Sequence, residues 1–178
     1  MAYELRERAI FGATSATTAT HDVGLLLLRL VVGLTMAGHG TQKLFGWFKG
    51  PGLSATGKGF TMSGYPAGDT MAVVAGLSET LGGLGLALGF LTPLAGAALT
   101  GTFINILAVR GLNTFFAPKG VELESVLFAG VIAPTLTGPG RFSVDHLLPV
   151  LRESRPRYSV LGLVLGAVVG FVVLLLRD

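Results

Sequence analysis

The chain contains no cysteine. That absence removes structural disulfides, thiol relays, persulfide carriers, iron–sulfur clusters and Cys-ligated zinc from the chemistry open to it. Charge is scarce as well. Only 13% of the 178 residues are Asp, Glu, Lys or Arg, about half of what a soluble domain of this length uses to keep its surface wet. Histidine is confined to His21, His39 and His146, and only His39 falls inside an apolar stretch. Two imidazoles on facing helices, the usual arrangement for a buried haem, are therefore not on offer. Strict alternation of apolar and polar residues is missing too, so segments that cross a bilayer must satisfy their backbone groups as helices.

What is present is apolar: 51% of the residues are hydrophobic, and they fall into five stretches, over 23–45, 70–91, 94–109, 121–136 and 158–176. A helix of ~20 residues at ~1.5 Å rise crosses the ~30 Å of hydrocarbon in a bilayer. The pattern predicts an all-α membrane protein, with an antiparallel four-helix transmembrane bundle over 23–145 and an additional C-terminal transmembrane helix over 158–178. Residues 1–22 read as a flexible polar tail, since a cleavable signal would begin with a short basic region and not with acids. Asp22 then suits a helix N-cap. The Gly-rich stretch 46–68 reads as a loop with a short interfacial segment, Trp47, Phe48 and Tyr65 lying at headgroup level. Residues 146–157 form a basic loop that suits anionic lipid.

Glycines recur four apart at Gly85 and Gly89, and at Gly162, Gly166 and Gly170. Small residues at this spacing let helix backbones approach closely. They serve either packing within the bundle or a homo-oligomer through span five, so membrane lipid, protein partners or a second copy are the expected neighbours; nothing points to nucleic acid. Basic residues divide evenly between the two faces, which leaves the positive-inside rule undecided. The clustering of Arg141, Arg152, Arg155 and Arg157 beside helix ends favours an N-terminus on the cytoplasmic side.

Polar residues inside the spans are few, and each needs an explanation. Arg29, Met36 and Lys43 are spaced seven apart on one helical face, with His39 between them. A charge at the bilayer centre costs at least ~2.5 kcal/mol, so this stripe should face protein. Antiparallel spans bring His39 and Glu79 to similar depth, with Arg29 roughly 15 Å from His39 along the axis. We therefore expect a polar cluster of His39, Glu79, Asn105 and Glu124 in one half of the bundle, with Lys43 at its rim. Blander readings stand beside this one. His39, between Gly38 and Gly40, suits a hydrogen-bonded packing role; Lys43 suits a snorkelling anchor; Glu122 suits a helix N-terminus. Glu79 is hardest to dismiss, because an acid near mid-span needs a partner or a proton.

A histidine and an acid at one depth in an apolar bundle suit hydrogen bonding and proton exchange with the carbonyl oxygens of a quinone. On that reading His39 and Glu79 carry the chemistry, while Arg29, Lys43, Asn105 and Glu124 contact the cofactor. A metal held by His39, Glu79 and Glu124 needs more ligands than a single histidine usually anchors.

At these residues the sequence resembles the DoxX family of small bacterial membrane proteins. The likeness is carried by Leu27-Leu28-Arg29-Leu30, by Gly38-His39-Gly40-Thr41-Gln42-Lys43-Leu44-Phe45-Gly46, by Glu79 with Gly82-Gly83, and by Gly138-Pro139-Gly140-Arg141-Phe142-Ser143-Val144-Asp145. The resemblance implies a four-helix bundle in the plasma membrane. It also implies a role like that of relatives which are subunits of thiosulfate:quinone oxidoreductases or of oxidative-stress complexes. Span five and the polar lead lie outside the resemblance, and without cysteine any sulfur chemistry would need another subunit or a non-covalent mechanism. Two function classes follow: a membrane oxidoreductase subunit that exchanges electrons and protons with quinone, and a non-catalytic scaffold or assembly subunit.

Overall fold

The computed structural model describes residues 2–116, 120–148 and 156–178, with side chains from residue 19 onward. It is all-helical among the described residues. The long helix α1 (Ala2–Phe45) is followed by a 3-10 turn (Trp47–Lys49), then α2 (Gly52–Met62), α3 (Gly68–Leu88), α4 (Thr92–Arg110), α5 (Glu122–Thr137), the single turn α6 (Val144–Leu147) and α7 (Pro156–Leu175). Four helical segments are long and apolar enough to cross a membrane: 19–45 of α1, and α3, α4 and α7. At 16 residues α5 is shorter, but it packs against α4 and α1 and closes a four-helix bundle of α1, α3, α4 and α5. Val32, Met36, Leu86, Leu99, Phe103, Leu127 and Val131 fill the centre of that bundle. This is an integral, multi-pass membrane architecture.

Helices in lipid gain little from apolar burial alone, so they associate by close backbone approach. The α1–α3 contact shows why the sequence puts glycine there. A methyl group on Gly33 would come within 2.5 Å of the Gly83 carbonyl oxygen, one on Gly83 within 2.5 Å of the Ala37 nitrogen, and one on Gly40 within 2.5 Å of the Thr80 nitrogen. Rising numbers on α1 meet falling numbers on α3, so the pair is antiparallel. The expected spacing in span five is used in the same way. Gly162 lies on Pro93, Gly166 on Ala97 and Gly170 on Gly101, which sets α7 parallel to α4. With α1 and α4 running in the same direction, the two ends of the chain emerge on opposite faces. The glycine face of span five is thus filled by the chain's own α4, and an oligomer through this helix would have to use its other, apolar side.

Several local expectations are corrected. The polar lead does not end at an N-cap: α1 runs unbroken through Asp22, whose buried carboxylate accepts a hydrogen bond from the Arg141 backbone N–H at 3.0 Å. Thr92 and Pro93, which fall between the apolar stretches 70–91 and 94–109, form the first turn of α4, where proline's missing N–H costs nothing. The turn between α3 and α4 is Gly89 to Leu91, and Leu91 sits at φ 48°, a left-handed conformation unusual for a branched residue. Trp47 and Phe48 are exposed as expected, but Tyr65 is only 3% exposed. Of the basic loop, residues 149–155 lie outside the described residues.

Because Gly166 faces the Ala97 carbonyl with no room for a side chain, Gly166→Leu should pry α7 from α4. We expect a stability loss at or above the ~1–3 kcal/mol typical of overpacking, read as a lower thermal midpoint in detergent. Val168→Leu, on the exposed side of the same helix, should leave that midpoint unchanged.

Candidate functional site

The α1–α3 crossing determines which polar groups meet. With Gly40 against Thr80 and Leu44 against Gly76, Lys43 of α1 is brought over Glu79 of α3. The Lys43 ammonium donates to Glu79 Oε2 at 2.5 Å. Glu79 is 1% exposed and Lys43 24%, so the acid is fully enclosed while the ammonium reaches toward open space. Lys43 is therefore not a rim anchor but the direct partner of the mid-span acid. The reason is stereochemical: its position three residues past Gly40 puts it on the same helix face, at the depth of Glu79. His39, one turn earlier, holds its Nδ1 3.2 Å from Gln42 Oε1.

This ion pair forms part of the wall of a cavity of about 540 Å³ between α1, α2, α3, α4 and α7, within the ~300–1,000 Å³ range of small-molecule sites. His39, Gln42, Lys43, Glu79, Tyr65, Asn105 and Arg110 are among its polar residues; Phe60, Val74, Ile106, Val169 and Val173 are among its apolar ones. Asn105 is fixed by three hydrogen bonds. Its Nδ2 donates to the Gly101 carbonyl at 3.0 Å and to the Gly170 carbonyl at 2.9 Å, and its Oδ1 accepts from the Tyr65 hydroxyl at 2.8 Å. Burial pushes the Tyr65 phenol's pKa up, and the nearby Arg177 charge pulls it down less strongly, so the hydroxyl stays protonated and donating at neutral pH. Phe60 packs edge-on against the Tyr65 ring.

The DoxX family profile matches residues 24–112, half of the chain, and covers α2, α3, α4 and the second half of α1. The chain belongs to the DoxX family. No curated protein and no solved structure gives a significant match to it. The matched region contains His39, Lys43, Tyr65, Glu79 and Asn105 of the cavity wall, whereas α7, which supplies another wall of the cavity, lies beyond it.

Two of the expected site residues lie elsewhere in this DoxX protein. Glu124 does not line the cavity; its Oε1 accepts from Arg110 Nε at 3.2 Å, because the N-terminus of α5 faces the C-terminal end of α4. Arg29 is fully buried at the opposite end of the bundle, as its depth in α1 implied. There its guanidinium donates to the Phe142 carbonyl at 2.5 Å and to the Ala87 carbonyl at 3.4 Å.

The run from Gly138 to Asp145 folds over that end as a latch. Asp145, for which the sequence suggested no role, is buried and accepts from the Leu91 N–H at 2.7 Å, the Thr92 N–H at 2.9 Å and the Thr92 hydroxyl at 2.7 Å. Its own N–H donates to the Gly89 carbonyl at 2.8 Å. It thereby caps α4 from another part of the chain, where a negative charge is favoured by the exposed N–H groups and the helix dipole. It also holds Leu91 in its left-handed conformation. The sequence marked Asp145 only as the last residue of the Gly138–Asp145 run, and its partner could not be read from spacing.

Two predictions separate these clusters. Lys43→Met should destabilise the protein by about 3–5 kcal/mol, because it strands a buried carboxylate. Lys43→Met combined with Glu79→Leu should recover most of that loss, and thermal unfolding of the single and double variants measures the coupling. Asp145→Ala should cost about 0.5–2 kcal/mol through the lost cap. It should leave ligand binding in the cavity unaltered, which equilibrium binding to the folded variant checks.

Proposed function

We propose that this DoxX protein is the membrane subunit of an oxidoreductase system and that its cavity takes a quinone. The observation that carries the reading is that four residues expected to act together, His39, Lys43, Glu79 and Asn105, line one cavity with an otherwise apolar wall. The residues suit the group. Lys43 Nζ and the His39 ring offer donors to a carbonyl oxygen, and Glu79 behind Lys43 can take up or give back a proton through it. The apolar residues between α4 and α7 suit a ring and its substituents. When bound, a quinone would supply the two-electron, two-proton redox couple; the chain's own part is to hold the ring, exclude water and manage the proton at Glu79. Lys43 compensates the carboxylate while Glu79 is ionised.

A second reading has its own observation. Lys43 and Glu79 satisfy each other directly, as a purely structural pair in a scaffold subunit would, and such a protein would present these helices to partners without reacting.

The two readings part at Glu79→Gln, which preserves shape and hydrogen bonding but removes the titratable proton. The oxidoreductase reading expects a folded protein that still binds quinone, with quinone-linked turnover in native-membrane complexes reduced about 100-fold or more. Unchanged turnover, or the absence of any quinone from protein purified in mild detergent, would support the scaffold.

A further inference from the structure

The cavity has a sidedness that its polar wall does not explain. Toward the aqueous face it is covered. Helix α2 lies across it, and the turn after α2 is tied down: Arg177 Nε donates to the Ser63 carbonyl at 2.6 Å, the Asp178 N–H donates to the Gly64 carbonyl at 3.0 Å, and Tyr65 reaches Asn105 below. Toward the bilayer it is not. Helices α3 and α7 each pack on α4 but make little contact with each other. Val74 on α3 and Val169 on α7 both line the cavity, yet they are 50% and 52% exposed. Gly170 opposes Gly101, so Val169 lies near the middle of the 19-residue α4, at a depth where only lipid is present.

We infer that the cavity is loaded sideways from the bilayer through the gap between α3 and α7, by a membrane-dissolved amphiphile with one polar head and an apolar chain. The head reaches the Lys43–Glu79 wall, and the chain lies in the gap over Ala98, Gly101 and Thr102. The inference rests on reading the cavity as a binding site, but not on the ligand being a quinone. The charged groups of the lining, Lys43, Glu79 and Arg110, belong to α1, the middle of α3 and the C-terminal end of α4, while the α3–α7 edge carries Val74 and Val169. A water-soluble ligand would need the reverse: a polar mouth. Close glycine packing of α7 on α4 keeps the floor of the gap flat, and α7 lies outside the residues matched by the family profile, so this edge of the cavity is formed by a helix outside the matched region.

The test uses the full chain in nanodiscs containing a phospholipid with a photoactivatable diazirine in its acyl chain, with no quinone present. Labelling should appear within residues 97–102, at Ala98 or Thr102, and should fall to background in Val74→Trp/Val169→Trp. Both side chains are exposed, so the double variant should fold; Val169→Trp alone gives a second, milder block. Label confined to outward residues such as Leu81 and Leu161 in the wild type, or label at 97–102 that survives both variants, would overturn side entry. A protein labelled at 97–102 that never binds quinone keeps the side entry and loses the redox reading. Quinone bound by a protein without such label does the opposite.

Discussion

Gly33, Ala37 and Gly40 of α1 meet Gly76, Thr80 and Gly83 of α3 with almost nothing between the two backbones. The Lys43–Glu79 pair is laid out from this crossing. In a bilayer the lipid chains are as apolar as leucine, so helices are held by dispersion contact over short distances and by the polar bonds those distances permit. Had α1 and α3 been separated by even one layer of leucines, Lys43 could not reach Glu79, and the acid would lie buried without a counter-charge. The glycine seam and the ion pair are thus one device: the seam brings the charges together, and the charges fix its register.

The same logic is repeated on the far side of α4. Gly162, Gly166 and Gly170 seat α7 directly on the α4 backbone, and the approach is close enough for Asn105 to donate into the α7 backbone at Gly170. An asparagine at that depth would otherwise carry unmet donors in hydrocarbon. Since α7 stands on α4 and not on α3, a gap is left between the two outer helices, and the cavity exists because of that gap.

The two polar clusters divide the molecule by task. At one end, Asp22, Arg29, Ser143 and Asp145 bind backbone groups and close the chain on itself, with Asp145 capping α4. Their side chains are buried and saturated apart from Arg29 Nε, which suits a fastening better than a reactive site. At the other end His39, Lys43, Tyr65, Glu79 and Asn105 face open volume. A bundle with both clusters in place is locked at one end and hollow at the other.

Hydropathy and length alone determined the membrane class, the positions of the apolar spans and the need for Glu79 to have a partner, because the cost of exposed charge and unmet backbone groups in lipid applies to any fold. Periodicity was enough to put His39 and Lys43 on one face and Arg29 at another depth, since the helical rise is constant. What the residues could not specify is which neighbour each would meet. Glu124 was expected beside His39 and pairs instead with Arg110, because the N-terminus of α5 faces the C-terminal end of α4. Tyr65 was expected among headgroups and is buried on Asn105, because α2 and residues 177–178 fold over it. Asp145 caps a helix that begins 53 residues earlier. Rise and period are local properties of the chain, whereas the crossing of two helices and the path of a loop depend on backbone shapes that only the assembled bundle brings into contact.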